Sequence, residues 1–101
     1  MFETKSISKE EVVLSVVGSL SGEAANEFHR RVEELVGGAY ATISLDLSQT
    51  EAINSSILGK ILLFRKKLAE QQRTLQITGC SKSLYELFQM VNFDRLISIK
   101  K

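Results

Sequence analysis

The chain has 101 residues, 44% of them apolar and 25% charged, with 13 Lys and Arg against 12 Asp and Glu. That size suits a single domain over residues 1–101 with one modest core, and the composition is globular rather than disordered. A formal charge of +1 gives no electrostatic basis for nucleic acid as a main partner. No apolar run approaches the roughly 20 residues that cross a bilayer, so no direct membrane insertion is expected. The N-terminal MFETKSISKEE has no basic-then-apolar signal pattern, and the single cysteine, Cys80, excludes an intrachain disulfide. Both features favour a cytoplasmic protein.

In chain order, FETKSIS (2–8) is a weak strand candidate. KEE turns it into VVLSVVG (12–18), a β-branched strand closed by glycine. GEAANEFHRRVEELVGG places Ala24, Ala25, Phe28, Val32, Leu35 and Val36 on one helical face, with Ser21 as the expected N-cap and Gly37-Gly38 as the stop. ATISLDL (41–47) alternates, with Ile43, Leu45 and Leu47 on one side and Thr42, Ser44 and Asp46 on the other. SQTEAI then reads as a loop leading to a long helix, SSILGKILLFRKKLAEQQ. Ile57, Leu58, Ile61, Leu62 and Leu68 form its buried side, widened by Leu63 and Phe64, and Arg65, Lys66 and Lys67 suit its C-terminal dipole. TLQIT (74–78) is a further strand with Leu75 and Ile77 inward. SKSLYELFQMV follows as a helix with Leu84, Leu87, Phe88 and Val91 at helical spacing, and Ser81 and Ser83 compete as its cap. RLISIK (95–100) reads as a last short strand.

Strands separated by amphipathic helices imply crossovers and a mostly parallel sheet. The polar second faces of the alternating strands place the helices mainly on one side. The expected fold is α/β, a mixed sheet of four to five strands with amphipathic helices mainly on one face.

Catalytic motifs are absent from the sequence. His29 is the only histidine, so no paired spacing for a metal exists. There is no dinucleotide or phosphate-binding glycine loop and no nucleophile elbow. Ser55 and His29 are the residue types of a serine–histidine pair, but nothing in their spacing supports one. Cys80 between strand and helix reads as a small residue in a tight joint. The expectation is a binding protein rather than an enzyme, with no cofactor and no metal.

The segment EAINSSILGK is more informative. Asn54-Ser55-Ser56 opens the long helix, where unpaired backbone N–H groups and a positive dipole end gather. A serine there caps the helix, or accepts a phosphate that the local field tolerates.

Around these residues the whole chain resembles the STAS domain, the module of sulphate transporters and anti-sigma factor antagonists. VVLSVVGSLSGEAANEF resembles the family's second strand, Gly-x-Leu turn and first helix. ISLDLSQTEAINSSILGKILLFRKKL resembles its strand, Asp-Leu-Ser, and then Asp-Ser-Ser-Gly-Leu-Gly opening a long helix. LQITGCSKSLYELFQMVNFDRLISI resembles its next strand, serine-started helix and leucine-rich end. The resemblance implies a phosphoacceptor at Ser55, phosphorylated by an anti-sigma kinase that the unmodified form binds. It also implies a partner-binding surface of Asp46, Asn54, Ser55, Ser56, Ile57 and Gly59. The family's aspartate before the serine is Asn54 here, and its glycine after the serines is Ile57, as a core or contact residue.

The function implied is a regulatory protein-binding module in signal transduction and transcription regulation, with an anti-sigma factor or related serine kinase as partner. The alternative is an accessory subunit of a membrane transporter, such as a lipid-trafficking ATPase complex, without phosphorylation.

Overall fold

A computed structural model describes residues 1–100. Strand β1 (Phe2–Ser6) and strand β2 (Glu11–Leu20) form a hairpin. Helix α1 (Glu23–Val36), strand β3 (Thr42–Ile53), helix α2 (Ser55–Ala69), strand β4 (Thr74–Cys80) and helix α3 (Lys82–Met90) follow, with a single 3-10 turn at Phe93–Arg95. The sheet has four strands in the order β1-β2-β3-β4. β1 is antiparallel to β2, whereas β2, β3 and β4 run parallel.

This order explains the layering. Each crossover steps to the next strand in the same direction, so the right-handed rule puts both crossover helices on one face. Burial follows that arrangement. Val12, Leu14 and Val16 of β2, Ile43, Leu45 and Leu47 of β3, and Leu75 and Ile77 of β4 are buried. They meet Phe28 and Val32 of α1, Ile57, Ile61, Phe64 and Leu68 of α2, and Leu84 and Phe88 of α3. On the open face, Ser44 is also fully buried, held between the Glu11 carboxylate at 2.9 Å and the Gln76 amide at 3.0 Å.

The structure corrects five expectations. The segment SQTEAI is not a loop, because β3 continues through it to Ile53. The alternation breaks there because β3 carries an extra residue opposite β2 twice, between Asp46 and Gln49 and between Thr50 and Ala52. Thr50 turns inward as a result, and its hydroxyl donates to the Val16 carbonyl at 2.9 Å.

Ser21 does not cap α1. Gly22 takes that position with φ of 57°, a left-handed backbone that side chains disfavour, and no side chain caps the helix. Instead the Ser21 carbonyl receives the Ala24 N–H, and the Gly22 carbonyl receives the Ala25 N–H, each at 3.2 Å.

The long helix ends at Ala69, just after the last apolar position Leu68, so Glu70-Gln71-Gln72 of the expected segment lie outside it, and Leu63 is exposed rather than part of the core. Finally, among the described residues RLISIK forms only one parallel bridge, Ile77 to Ile99. Phe93 and Ile97 are drawn into the core, with Phe93 stacked on Phe88 at 5.2 Å.

Candidate functional site

The start of α2 is built by Asn54. Its backbone is extended, with φ of −100° and ψ of 171°, and its side-chain Oδ1 accepts the Ile57 N–H at 2.9 Å. The Asn54 carbonyl accepts the Leu58 N–H at 3.3 Å and lies 3.1 Å from the Ile57 nitrogen. Asn54 therefore does the work of an N-cap without a carboxylate. Of the residues that compete to cap α3, Ser81 takes the equivalent role, accepting the Leu84 N–H at 3.2 Å.

Because Asn54 caps α2, the two serines have no structural task in that cap. Ser55 and Ser56 are the first two helical residues, both exposed. Their hydroxyls make no hydrogen bond among the described residues. Their backbone N–H groups are two of the unpaired donors at the positive end of a 15-residue helix. An added anion at Ser55 would face those donors, and the cap would stay intact.

The other expected contact residues divide. Gly59 is exposed one turn further along α2, and a Cβ built there would meet nothing within 4 Å. Ile57 is fully buried, so its side chain belongs to the core and not to the surface around Ser55. At that point of the first turn the helix faces the sheet, and the β-branched side chain supplies packing.

Asp46 is also separate from the α2 start. Its Oδ1 accepts the Ser48 N–H at 3.0 Å and the Ser48 hydroxyl at 2.7 Å, fixing the first bulge of β3. Ile53 lies seven positions further along the strand, roughly 20 Å of extended chain. Gly79 makes room for this arrangement, since a Cβ there would sit 3.3 Å from Asp46 Oδ1. Asp46 instead borders a groove of about 240 Å³ on the β1 side, with Phe2, Ser15, Val17 and Gln49.

His29 forms no pair with Ser55. Its Nε2 lies 3.4 Å from Glu33 Oε2, and its ring packs on Phe64 at 5.2 Å between centroids. Phe64 is nine residues along α2 from Ser55, about 13 Å of helix. The His29 Nδ1 is buried without a hydrogen-bond partner among the described residues. Cys80 ends β4, buried, with its sulfur 3.8 Å from the Lys100 carbonyl. Among the described residues, no group of His, Cys, Asp and Glu is placed to hold a metal ion, and no helix is long and apolar enough to cross a membrane.

Comparison with solved structures finds the same fold in bacterial regulators. Bacillus SpoIIAA, an anti-sigma factor antagonist, in its unphosphorylated form superposes with a TM-score of 0.83 at 19% identity, covering 100% of this chain and 89% of that one. Its phosphorylated form gives a TM-score of 0.77. A candidate anti-sigma factor antagonist from Thermotoga maritima gives 0.82 at 25% identity, covering 99% and 86%. The STAS domain of a SulP transporter from Vibrio cholerae gives 0.69 at 13% identity, covering 92% and 72%. No curated protein matches the sequence. The family model described as "Mlab, STAS domain" matches residues 3–98. The chain belongs to the STAS domain family.

Proposed function

We propose that this STAS domain is a cytoplasmic regulatory module that docks a protein partner at the start of α2, with Ser55 as its phosphoacceptor. The observation that carries this reading is the exposed, unbonded Ser55 hydroxyl beside an Asn54 that already caps the helix. The γ-phosphoryl group of ATP would move to Ser55 Oγ, with ADP leaving and the hydroxyl proton passing to a base on the kinase. The helix keeps its cap, so the modification changes the docking surface and not the fold. The added charge of about −1.5 to −2 sits where a fitted partner would be repelled and desolvated. The partner class is an anti-sigma factor or related serine kinase, in line with the antagonists that share this fold.

The test is to incubate the purified chain with ATP and a serine-kinase anti-sigma factor of the same genome, followed by peptide mass spectrometry. Phosphate is expected on Ser55, with none in Ser55→Ala. A chain that neither binds the kinase nor gains phosphate on Ser55 would overturn the reading.

A second reading is favoured by the description of the matching family model, Mlab, and by the neutral Asn54 in place of the aspartate. Here the domain is an accessory subunit of a membrane transporter and keeps the docking surface without the switch. Recovery of a transporter ATPase in place of a kinase on the immobilised chain would select this reading.

A further inference from the structure

The outer face of α2 extends the Ser55 site into a longer line. At about 100° per residue, Ser55, Gly59, Leu62 and Lys66 project within about 60° of one another, opposite the buried Ile57, Ile61, Phe64 and Leu68. Ser55, Gly59 and Lys66 are exposed, and Leu62 is half-buried against the edge of the core. Leu63 stands at the rim of this line and is 46% exposed.

Two features of α2 bear on what covers this line. The first is Gly59. Glycine inside an exposed helix weakens it relative to alanine, yet a Cβ here would meet nothing within 4 Å. Internal packing therefore does not require the bare backbone at this turn. The second is charge. Between Ser55 and Ala69 the helix carries Lys60, Arg65, Lys66 and Lys67 and no carboxylate. None of the four is in an ion pair among the described residues, and Lys66 is the one on the line. Although the helix dipole favours Lys66 and Lys67 in the last turn, and Lys67 also lies over the Phe64 ring at 5.9 Å, no carboxylate of α2 offsets their charge. On α1, by contrast, both arginines pair with Glu27, Arg30 at 3.7 Å and Arg31 at 2.8 Å.

We infer that a segment of a protein partner combining apolar and acidic side chains lies along this line. It packs on the bare backbone at Gly59 between Ser55 and Leu63, with its carboxylates over Lys66 and its neighbours. The inference rests on the proposed docking site at the α2 start and specifies the chemistry of its occupant. It also gives the switch its sign. A phosphate on Ser55 heads the same line and stands against the end of the occupant that packs beside Gly59, where a dianion cannot be desolvated without cost.

The experiment titrates the isotope-labelled full chain, by amide NMR, with two amphipathic peptides of equal length. One is built of Leu and Glu and the other of Leu and Lys; vesicles of phosphatidylglycerol and phosphatidylcholine form the third arm. Shifts confined to residues 55–67 with the Leu/Glu peptide, and none with the other two, support the inference. Lys66→Glu should weaken that peptide about tenfold by reversing the attraction. Gly59→Ala should raise the melting temperature by roughly 4–8 °C and still weaken the peptide about tenfold. A merely structural glycine would not show those opposite signs.

The inference is overturned by shifts elsewhere or none at all, by equal response to both peptides, by vesicle binding at α2, or by concentration-dependent shifts of α2 in the chain alone. Full peptide affinity in Gly59→Ala overturns it as well. If the kinase fails to modify Ser55 while the peptide pattern holds, the phosphoswitch falls and the docking line stands. Modification of Ser55 without the peptide pattern has the reverse meaning.

Discussion

Phe64→Ala is expected to lower the unfolding free energy by about 3–5 kcal/mol, as removal of a fully buried aromatic ring from a packed core does. Phe64 is fully buried where α2 meets α1. The His29 ring lies on it at 5.2 Å with a 41° tilt, and the Lys67 ammonium sits 5.9 Å above it. The loss is large against the roughly 5–15 kcal/mol that holds a domain of this size together. Urea unfolding followed by circular dichroism gives the number. A loss below about 1 kcal/mol would mean that the α1–α2 junction collapses onto the space without cost, contrary to the packing described.

Arg73→Met is expected to cost about 2–3 kcal/mol without opening any cavity. The Arg73 guanidinium reaches back to the C-terminal end of α1. Its Nη1 donates to the Val36 carbonyl at 2.7 Å, its Nη2 to the Leu35 carbonyl at 3.2 Å, and its Nε to the Tyr40 carbonyl at 2.6 Å. These carbonyls lie at or just beyond the end of α1, where its dipole is negative and no basic residue occupies its last turn. Charge-assisted bonds are worth more than neutral ones, but partial exposure lets water replace some of their strength. The melting temperature should fall by roughly 8–20 °C. Arg73→Lys should recover only part of this, because a single ammonium cannot span three diverging carbonyls. Full recovery by lysine would show that charge alone, and not the planar fork, holds α1.

Much of this architecture is legible in the sequence because burial imposes periodicity. The alternation of Ile43, Leu45 and Leu47 and the helical spacing of Leu84 and Phe88 each match the buried side of their element. The strand order then follows from two crossovers of one hand. The misread stretches are those where a backbone irregularity replaces periodicity. Two bulges in β3 scramble the alternation after Leu47, so a strand reads as a loop. Gly22 supplies a positive φ where Ser21 looked like the better cap. RLISIK alternates like a strand, yet Phe93 and Ile97 turn into the core and the segment pairs with β4 only through the Ile77–Ile99 bridge among the described residues.

The candidate site was partly legible. Ser55, Ser56, Asn54 and Gly59 form one exposed surface at the start of α2. Asn54 carries the cap, which leaves the serines unoccupied, and this division of roles depends on a side-chain geometry that sequence alone does not reveal. Ile57 and Asp46 share the motif's spacing but not its surface, since one faces the core and the other is turned to Ser48. Arg73 gave no signal at all. It sits in a polar stretch, and its partners are backbone carbonyls more than thirty residues away in sequence.

In the proposed switch, the chemical state of Ser55 governs docking while the fold stays unchanged. Titration calorimetry separates these two effects. Two homogeneous samples of the full chain, one carrying phosphoserine at position 55, are titrated with the serine-kinase anti-sigma factor of the same genome. The unmodified chain is expected to bind, with at least a ~100-fold loss on phosphorylation, about 2.7 kcal/mol, and the two melting curves superimposable. Equal affinities for the two samples, or a loss of affinity that tracks a lower melting temperature, would contradict it.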